Sequence, residues 1–132
     1  MNAALEFHDS EVALVAGADH TLKIQFSAAY IHRSSGRPGI DAGAGYIQPA
    51  ELVFSAASWS ELSDDYAGDL SSGLLLINGT GYSLVPLPFS AVGQISAELV
   101  FVSGAVLSIS ASSIRCQHTG EPRFVENYPG KF

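Results

Sequence analysis

The densest group of chemically active side chains lies near the start of the chain, at His8-Asp9-Ser10-Glu11. An imidazole next to carboxylates could bind a metal ion or transfer protons. In an extended segment, however, successive side chains point to opposite faces, so His8 would lie opposite Asp9 and Glu11. We therefore expect a turn in which Asp9 or Ser10 bonds the local backbone before the first strand, and we predict no metal site here.

Two further histidines, His20 and His32, share the parity of the apolar positions in the segment between them. If that segment is a straight strand, its length separates them by about 40 Å, so they cannot share a metal ion. We expect each imidazole to cover one end of a buried face, with its ring partly in water. The pattern His-Glu-x-x-His is absent, and the single Cys116 cannot supply a thiolate cluster within one chain. The sequence therefore predicts no bound metal and no cofactor.

The loop 33–46 is the strongest candidate for a binding site. Two arginines, an aspartate and several glycines lie in this loop, and a tyrosine and a histidine come just before it. Long loops on a rigid scaffold often bind ligands, and two arginines can clamp a carboxylate or a phosphate. The alternative is an ordinary solvated loop whose arginines offset an acidic surface. The candidate ligand-binding residues are Tyr30, His32, Arg33, Arg37 and Asp41.

Catalytic motifs are missing from the sequence. The serines lie in no Gly-x-Ser-x-Gly elbow, and Cys116 has no local signature of a catalytic thiol. Gly43-Ala44-Gly45 lacks the third glycine of a dinucleotide-binding loop. The spacing of Asp64, Asp65 and Asp69 matches no calcium-binding loop. We therefore assign no catalytic residue and favour a protein that is not an enzyme.

The elements that must position these residues are predicted to be strands. From Thr21 to Arg33, apolar and polar residues alternate strictly, which indicates a long half-buried strand. A shorter strand over 11–15 precedes it, and Ala16-Gly17-Ala18-Asp19 supplies a hairpin connection. Asn78-Gly79 favours a type I′ turn, so the apolar run before it should fold back as a second hairpin. Further strands are expected over 48–56, 95–102 and 105–114.

Short strands joined by Gly-rich and Ser-rich turns are typical of an all-β fold. We predict an antiparallel β-sandwich or β-barrel of about seven or eight strands, and the sequence leaves these two architectures open. Ser58 and Glu61 have the spacing of a capping box, so we expect at most one short helix, near 58–66. Residues 1–116 should form a single domain, and 117–132 an irregular tail that packs on this domain or on a partner subunit.

Composition narrows the classes of partner. The 132 residues include 13 acidic and 6 basic side chains, which give a net charge of −7. A phosphate backbone would be repelled, so we expect no nucleic-acid partner. No unbroken apolar run is long enough for a membrane span, and the first residues do not resemble a secretory signal. With one cysteine, a reducing compartment fits best, and we expect a soluble cytoplasmic protein.

Two hypotheses about function follow. The favoured one is a non-enzymatic binding or interaction protein whose partner is another protein or a second copy of the chain, because apolar content is high and the C-terminal tail is rich in aromatic residues. The alternative is a small-molecule binder or an enzyme that uses a barrel interior or a cleft near 30–46. A filled interior with no cavity beside Tyr30, His32, Arg33 and Arg37 would exclude this alternative.

Overall fold

The computed structural model describes residues 1–60 and 66–131. These residues form ten β-strands and no helix, which confirms the predicted all-β fold. No helix in this part of the chain is therefore long and apolar enough to cross a membrane. In chain order the strands are β1 (Asn2–Ala18), β2 (Thr21–Ser34), β3 (Gly43–Ser55), β4 (Ser58–Trp59), β5 (Gly68–Ile77), β6 (Thr80–Tyr82), β7 (Leu84–Pro86), β8 (Phe89–Phe101), β9 (Val106–His118) and β10 (Arg123–Tyr128).

Six of these strands close into an antiparallel barrel. They are hydrogen-bonded in the order β3-β2-β1-β5-β8-β9, and β9 pairs back onto β3. The closing register places Leu52 opposite Cys116 and Phe54 opposite Ile114. Of the two architectures that the sequence left open, the structure therefore has the barrel. The four short strands attach to its outside or its ends: β4 pairs with β9, β6 with β5, β7 with β1 and β10 with β3.

One apolar core lies inside the barrel, with buried side chains from all six barrel strands. The alternations read from the sequence place them there: Leu22, Ile24 and Phe26 on β2 are buried, as are Leu107 and Ile109 on β9. Each fully buried leucine, isoleucine or phenylalanine contributes roughly 1.5–3 kcal/mol relative to an exposed position. The interior is thus occupied by the protein's own side chains.

The first hairpin differs from the predicted one in length and in the position of its turn. β1 begins at Asn2 rather than Glu11, because the first residues pair with β2 and with β7. The turn residues are Asp19 and His20, with φ of 50° and 62°, and Ala18 pairs with Thr21. Positive φ at both central positions is the geometry of a type I′ turn, which fits the twist of the two strands.

A bulge in β2 reverses its inside and outside positions. The register with β3 shifts between Phe26 and Ala29, so that Ala29 and Ile31 join the core. Tyr30 and His32 consequently lie on the opposite face of the sheet from the core. The prediction that His32 shares the apolar face of Leu22 was wrong, because one extra residue exchanges the two faces of a strand. His20 lies in the exposed turn and covers no core.

The expected turn at Asn78-Gly79 and the expected helix near 58–66 have different outcomes. The hairpin at Asn78-Gly79 is confirmed, with φ of 49° and 85° at these residues and Ile77 paired with Thr80. Ser58 and Trp59 do not begin a helix but pair with β9 as β4, since Ser58 lies opposite Ser110. Positions 61–65 of the expected helix lie outside the described residues.

The C-terminal segment is more regular than predicted. β9 continues to His118, and β10 then pairs with residues 43–47 of β3. β10 follows β9 along the same edge of β3, so this edge has a partner along most of its length. Backbone N–H and C=O groups at a sheet edge are stabilised when they hydrogen-bond to another strand. This explains why a segment without an alternating pattern is nevertheless a strand.

Candidate functional site

A wide bulge in β1 creates the most distinctive polar site of the described residues. Glu6 pairs with Tyr30 and Glu11 with Ala28, so residues 7–10 lie opposite Ala29 alone. Asp9 has φ of 69°, a left-handed conformation that aspartate tolerates better than most residues. The buried Ser10 hydroxyl donates to the carbonyl of Glu6 at 2.5 Å and accepts from the backbone N–H of Tyr30 at 2.9 Å. The expected bond from Ser10 to local backbone is present, but inside β1 and not before it.

The bulge also places an imidazole and two carboxylates together. Ligand atoms of Glu6, His8 and Asp9 all lie within 4.8 Å of one another. His8 Nδ1 lies 3.3 Å from Asp9 Oδ2, and both side chains are more than half exposed. The expectation that His8 lies opposite Asp9 was wrong, because the left-handed residue at Asp9 interrupts the alternation of an extended chain. Glu11, the other carboxylate of that expectation, is not in this group, whose second carboxylate is that of Glu6.

His32 is buried beside this group. Only 6% of the residue is exposed, and neither ring nitrogen has a hydrogen-bond partner among the described residues. The nearest charged atom is Glu6 Oε1, 3.6 Å from His32 Nε2, which is longer than a hydrogen bond. Tyr30 and Tyr128 contact the ring edge to face, each with 5.1 Å between ring centroids. The imidazole is thus fixed by packing and not by hydrogen bonds.

Both tyrosines that flank His32 are themselves held in place. The Tyr30 hydroxyl donates to Glu126 Oε1 at 2.5 Å, and the Tyr128 hydroxyl donates to the carbonyl of Gly39 at 2.9 Å. Burial, followed by the hydrogen bond to Glu126, raises the pKa of Tyr30, so this phenol keeps its proton as a donor. A Cβ on Gly45 would lie 2.1 Å from the Tyr30 oxygen, so only glycine at that position lets the ring lie against β3.

A cleft of about 290 Å³ opens beside His32. It lies between the bulge of β1, the end of β2, the middle of β5, the start of β7, the loop 35–42, the end of β10 and the segment that follows it. The loop is held there by bonds from the C-terminal segment, including one from Lys131 N to the carbonyl of Ile40 at 2.8 Å. The polar side chains on its wall are those of Glu6, His8, His32, Ser72, Ser83, Tyr128 and Lys131.

Of the five predicted site residues, only His32 lines the cleft, and Tyr30 packs against its ring. Arg33 follows His32 on β2 and therefore points to the other face. Its Nη2 donates to Gln48 Oε1 at 2.6 Å, and its guanidinium lies 5.5 Å from the centre of the Tyr46 ring.

Arg37 and Asp41 lie in the exposed loop and pair with each other. Arg37 Nη2 is 3.2 Å from Asp41 Oδ1, and the hydrogen bond from Arg37 lowers the pKa of Asp41. The structure therefore places Arg33 and Arg37 in different surroundings and not around a common point. The loop contributes Gly39 and Ile40 to the cleft wall in their place.

Glu6, Ser83, Tyr128 and Lys131 are residues of the cleft that the sequence did not suggest. They come from distant parts of the chain, and no local pattern connects them. The one local signal is the polarity of His8 and Asp9, which favours a turn. Aspartate's tolerance of positive φ could have indicated a bulge, but not which strand would lie beside it.

Cys116 does not contribute a nucleophile to any surface. It is fully buried on β9, and burial raises the pKa of its thiol to about 12. A thiol is a nucleophile only as the thiolate, so this residue acts as a small core side chain.

Searches against protein-family models, curated proteins and solved structures found no match to this chain.

Proposed function

We propose that this chain is a non-enzymatic binding protein that holds a small polar ligand in the cleft beside His32. The observation that carries the proposal is the buried imidazole whose two nitrogens lack hydrogen-bond partners among the described residues. Leaving such a group unsatisfied costs about 1–3 kcal/mol, and buried polar groups are nearly always paired. A ligand that hydrogen-bonds or coordinates the ring would recover this energy on binding.

The size and lining of the cleft support a small ligand. Its volume of about 290 Å³ is at the lower end of the range of about 300–1,000 Å³ for ligand pockets. Glu6 and Lys131 place opposite charges on its wall, and Ser83 adds a hydroxyl. The barrel interior, in contrast, is occupied by apolar side chains, so the cleft near 30–46 is the better place for a ligand.

Binding is favoured over catalysis because the two tyrosines beside His32 already donate their protons and no hydrogen bond among the described residues orients His32. The protons of Tyr30 and Tyr128 are donated to Glu126 Oε1 and to the carbonyl of Gly39. Cys116, which lies on β9 away from the cleft, is held neutral by burial. His32 has no bonded partner that would orient it as a general base, as catalytic histidines normally have. The proposal includes a cytoplasmic location, which the single, buried Cys116 supports.

The experiment observes the imidazole signals of the histidines by long-range ¹H–¹⁵N NMR. Acetate, acetamide, methylamine and imidazole are added separately at millimolar concentration. We expect at least one of them to shift the His32 ring signals and the backbone amides of Glu6 and Tyr128. The exposed His118, at the end of β9, should not shift and is the control within the same molecule.

The His32→Phe variant is the matched control for this experiment. Phenylalanine keeps a flat ring between Tyr30 and Tyr128 and removes both nitrogens, so the fold should persist while the shifts at Glu6 and Tyr128 disappear. The same shifts in His32→Phe would show that the probes bind elsewhere, and the proposal would then be wrong.

A second candidate function is self-association through β10. This strand pairs only with β3 among the described strands, and Phe124 and Val125 are 55% and 42% exposed. An exposed edge strand with apolar side chains is a surface on which a second strand can pair. The partner would be a second copy of the chain, as the homodimer hypothesis expects.

Light scattering after size-exclusion chromatography tests the homodimer. We expect a dimer at high micromolar concentration that Val125→Lys converts to a monomer, because a charge on the edge opposes pairing. Val102→Lys is the control, since Val102 is 69% exposed in the turn between β8 and β9. A monomeric wild-type protein, or equal dissociation by both variants, would exclude pairing through β10.

A further inference from the structure

We infer that the ligand of the cleft is a divalent transition-metal ion of the zinc class, held by Glu6, His8, Asp9 and His32. This inference rests on the proposed function, because it names the ligand of the same cleft. Two imidazoles and two carboxylates make a mixed nitrogen and oxygen donor set. Imidazole favours zinc, copper, nickel and iron, whereas calcium and magnesium prefer oxygen ligands alone.

The distances between the donor atoms fit those of ligands around one zinc ion. Ligands bonded to zinc at about 2.0–2.2 Å in a tetrahedron lie about 3.3–3.6 Å from each other. His8 Nδ1 and Asp9 Oδ2 are 3.3 Å apart, and His32 Nε2 and Glu6 Oε1 are 3.6 Å apart. Both separations fit neighbouring ligands of one ion, and the second is too long for a strong hydrogen bond.

Three of the four proposed ligands already form one donor group, and His32 lies outside this group, next to Glu6. Glu6, His8 and Asp9 offer donor atoms that all lie within 4.8 Å of one another. Bringing them to bonding distance requires the side chains of His8 and Asp9 to turn towards Glu6. Both are more than half exposed, so their rotamers can change without disturbing the core.

The buried His32 is the independent observation that points to a ligand. His8 and Asp9 alone would be an ordinary exposed pair that needs no ligand. That explanation does not extend to His32, which is 6% exposed and has no hydrogen-bond partner among the described residues. Tyr30 and Tyr128 hold this ring beside Glu6 before any ion arrives. Such preorganisation lowers the cost of binding, because one ligand is already desolvated and fixed.

The net charge of −7 also favours a cation over an anion at this site. Lys131 is the one cationic side chain on the cleft wall, and it lies in the exposed segment after β10. The two carboxylates would neutralise the two positive charges of the ion. The bound site would therefore carry no large buried charge, which a partly enclosed cleft requires.

The experiment titrates Zn²⁺ into metal-free, untagged protein by isothermal calorimetry and records the visible spectrum with Co²⁺. We expect one ion per chain, and a Co²⁺ band of tetrahedral intensity. His8→Ala and His32→Phe should each weaken Zn²⁺ binding about ten-fold or more, as the loss of a ligand or of a residue that orients one does. His118→Ala should bind as wild type, and Mg²⁺ should not compete.

Four outcomes would overturn the metal inference: no binding of Zn²⁺, one ion shared by two chains, wild-type affinity in both site variants, or loss of binding in His118→Ala. If acetate, acetamide, methylamine or imidazole shifts the His32 ring while Zn²⁺ does not bind, the metal inference fails and the proposed binding function stands. If neither these probes nor Zn²⁺ changes the His32 signals, both fail. Circular dichroism of each variant separates loss of the site from loss of the fold.

Discussion

At the scale of single residues, Cys116 and His32 are both buried, but they differ in how much hydrogen-bonding capacity burial leaves unsatisfied. A thiol is a weak hydrogen-bonding group, so the apolar surroundings of Cys116 leave little unsatisfied. An imidazole always has at least one donor and usually one acceptor, and among residues 1–60 and 66–131 neither ring nitrogen of His32 has a hydrogen-bond partner. Cys116 therefore belongs to the core, whereas His32 lies at the cleft for which we propose a ligand.

The thiol of Cys116 should be unreactive in the folded protein. Its pKa is raised from 9.0 to about 12, so at pH 8 almost none of it is thiolate. We expect labelling by a disulfide reagent at pH 8 to follow global unfolding and to become fast only in denaturant. Rapid labelling of the native protein would contradict the buried position.

The same shift gives a pH dependence of stability. The folded state holds this proton more tightly than the unfolded chain, so the stabilisation is complete below about pH 9 and is lost as the pH rises towards 12. A Cys116→Ala variant lacks this group, although it leaves a small cavity. Its free energy of unfolding should therefore decline less steeply between pH 9 and pH 11 in urea titrations.

At the scale of elements, turns and bulges decide where the polar side chains point. The β1–β2 turn places His20 at φ of 62°, where a side chain is strained and glycine is not. We expect His20→Gly to raise the free energy of unfolding by about 1 kcal/mol, since a non-glycine residue in this region costs about 1–2 kcal/mol. Urea unfolding monitored by circular dichroism measures the change.

Ala18→Gly is the control for this substitution. Ala18 lies in β1 next to the same turn but has no positive φ. Glycine there should lower the free energy of unfolding by about 0.5–1 kcal/mol, because it adds only backbone entropy to the unfolded chain. Destabilisation by both variants would show that the His20 side chain makes a contribution that the turn geometry does not explain.

The elements differ in how far the sequence could predict them. The alternation of Leu22, Ile24 and Phe26 and the Asn78-Gly79 turn are local signals, and the structure follows both. The bulges are not local. The one in β1 depends on the Ser10 hydroxyl bonding the backbone of Tyr30, twenty positions along the chain. The formation of strand β10 likewise depends on an unpaired edge of β3, which exists only once the sheet has assembled.

The candidate site was less predictable than the fold for the same reason. The composition of the loop 33–46 predicts Tyr30 and His32 as ligand-binding residues. It equally predicts Arg33, Arg37 and Asp41, which the structure places elsewhere. Which face of β2 carries His32 is decided by a register shift that the sequence pattern does not show. Glu6 and Tyr128 meet His32 only through pairing across the sheet.

At the scale of the whole molecule, the closed barrel should unfold as one unit. Each of the six barrel strands has a neighbour on both sides, so none can detach without breaking two ladders. The short strands β6 and β10 each pair with a single strand in the described part of the chain. Local opening should therefore cost less there than in the barrel.

Native-state hydrogen exchange measures this difference. We expect the amides of Ile24 and Leu52 to exchange only with the free energy of global unfolding. Those of β6 and β10 should exchange through openings that cost several kcal/mol less, as frayed edges generally do. Equal protection of β10 and β2 would indicate that β10 is covered by a further partner, as in the homodimer.

The unpartnered ring of His32 has a consequence for laboratory evolution. A library selected for heat resistance alone, with no ligand present, should replace His32 by an apolar residue of similar size, because the free protein gains stability from that change. Expression and the circular dichroism spectrum of such clones would not reveal the loss. A screen that retains this site must therefore include the ligand, and Zn²⁺ is the first one to add.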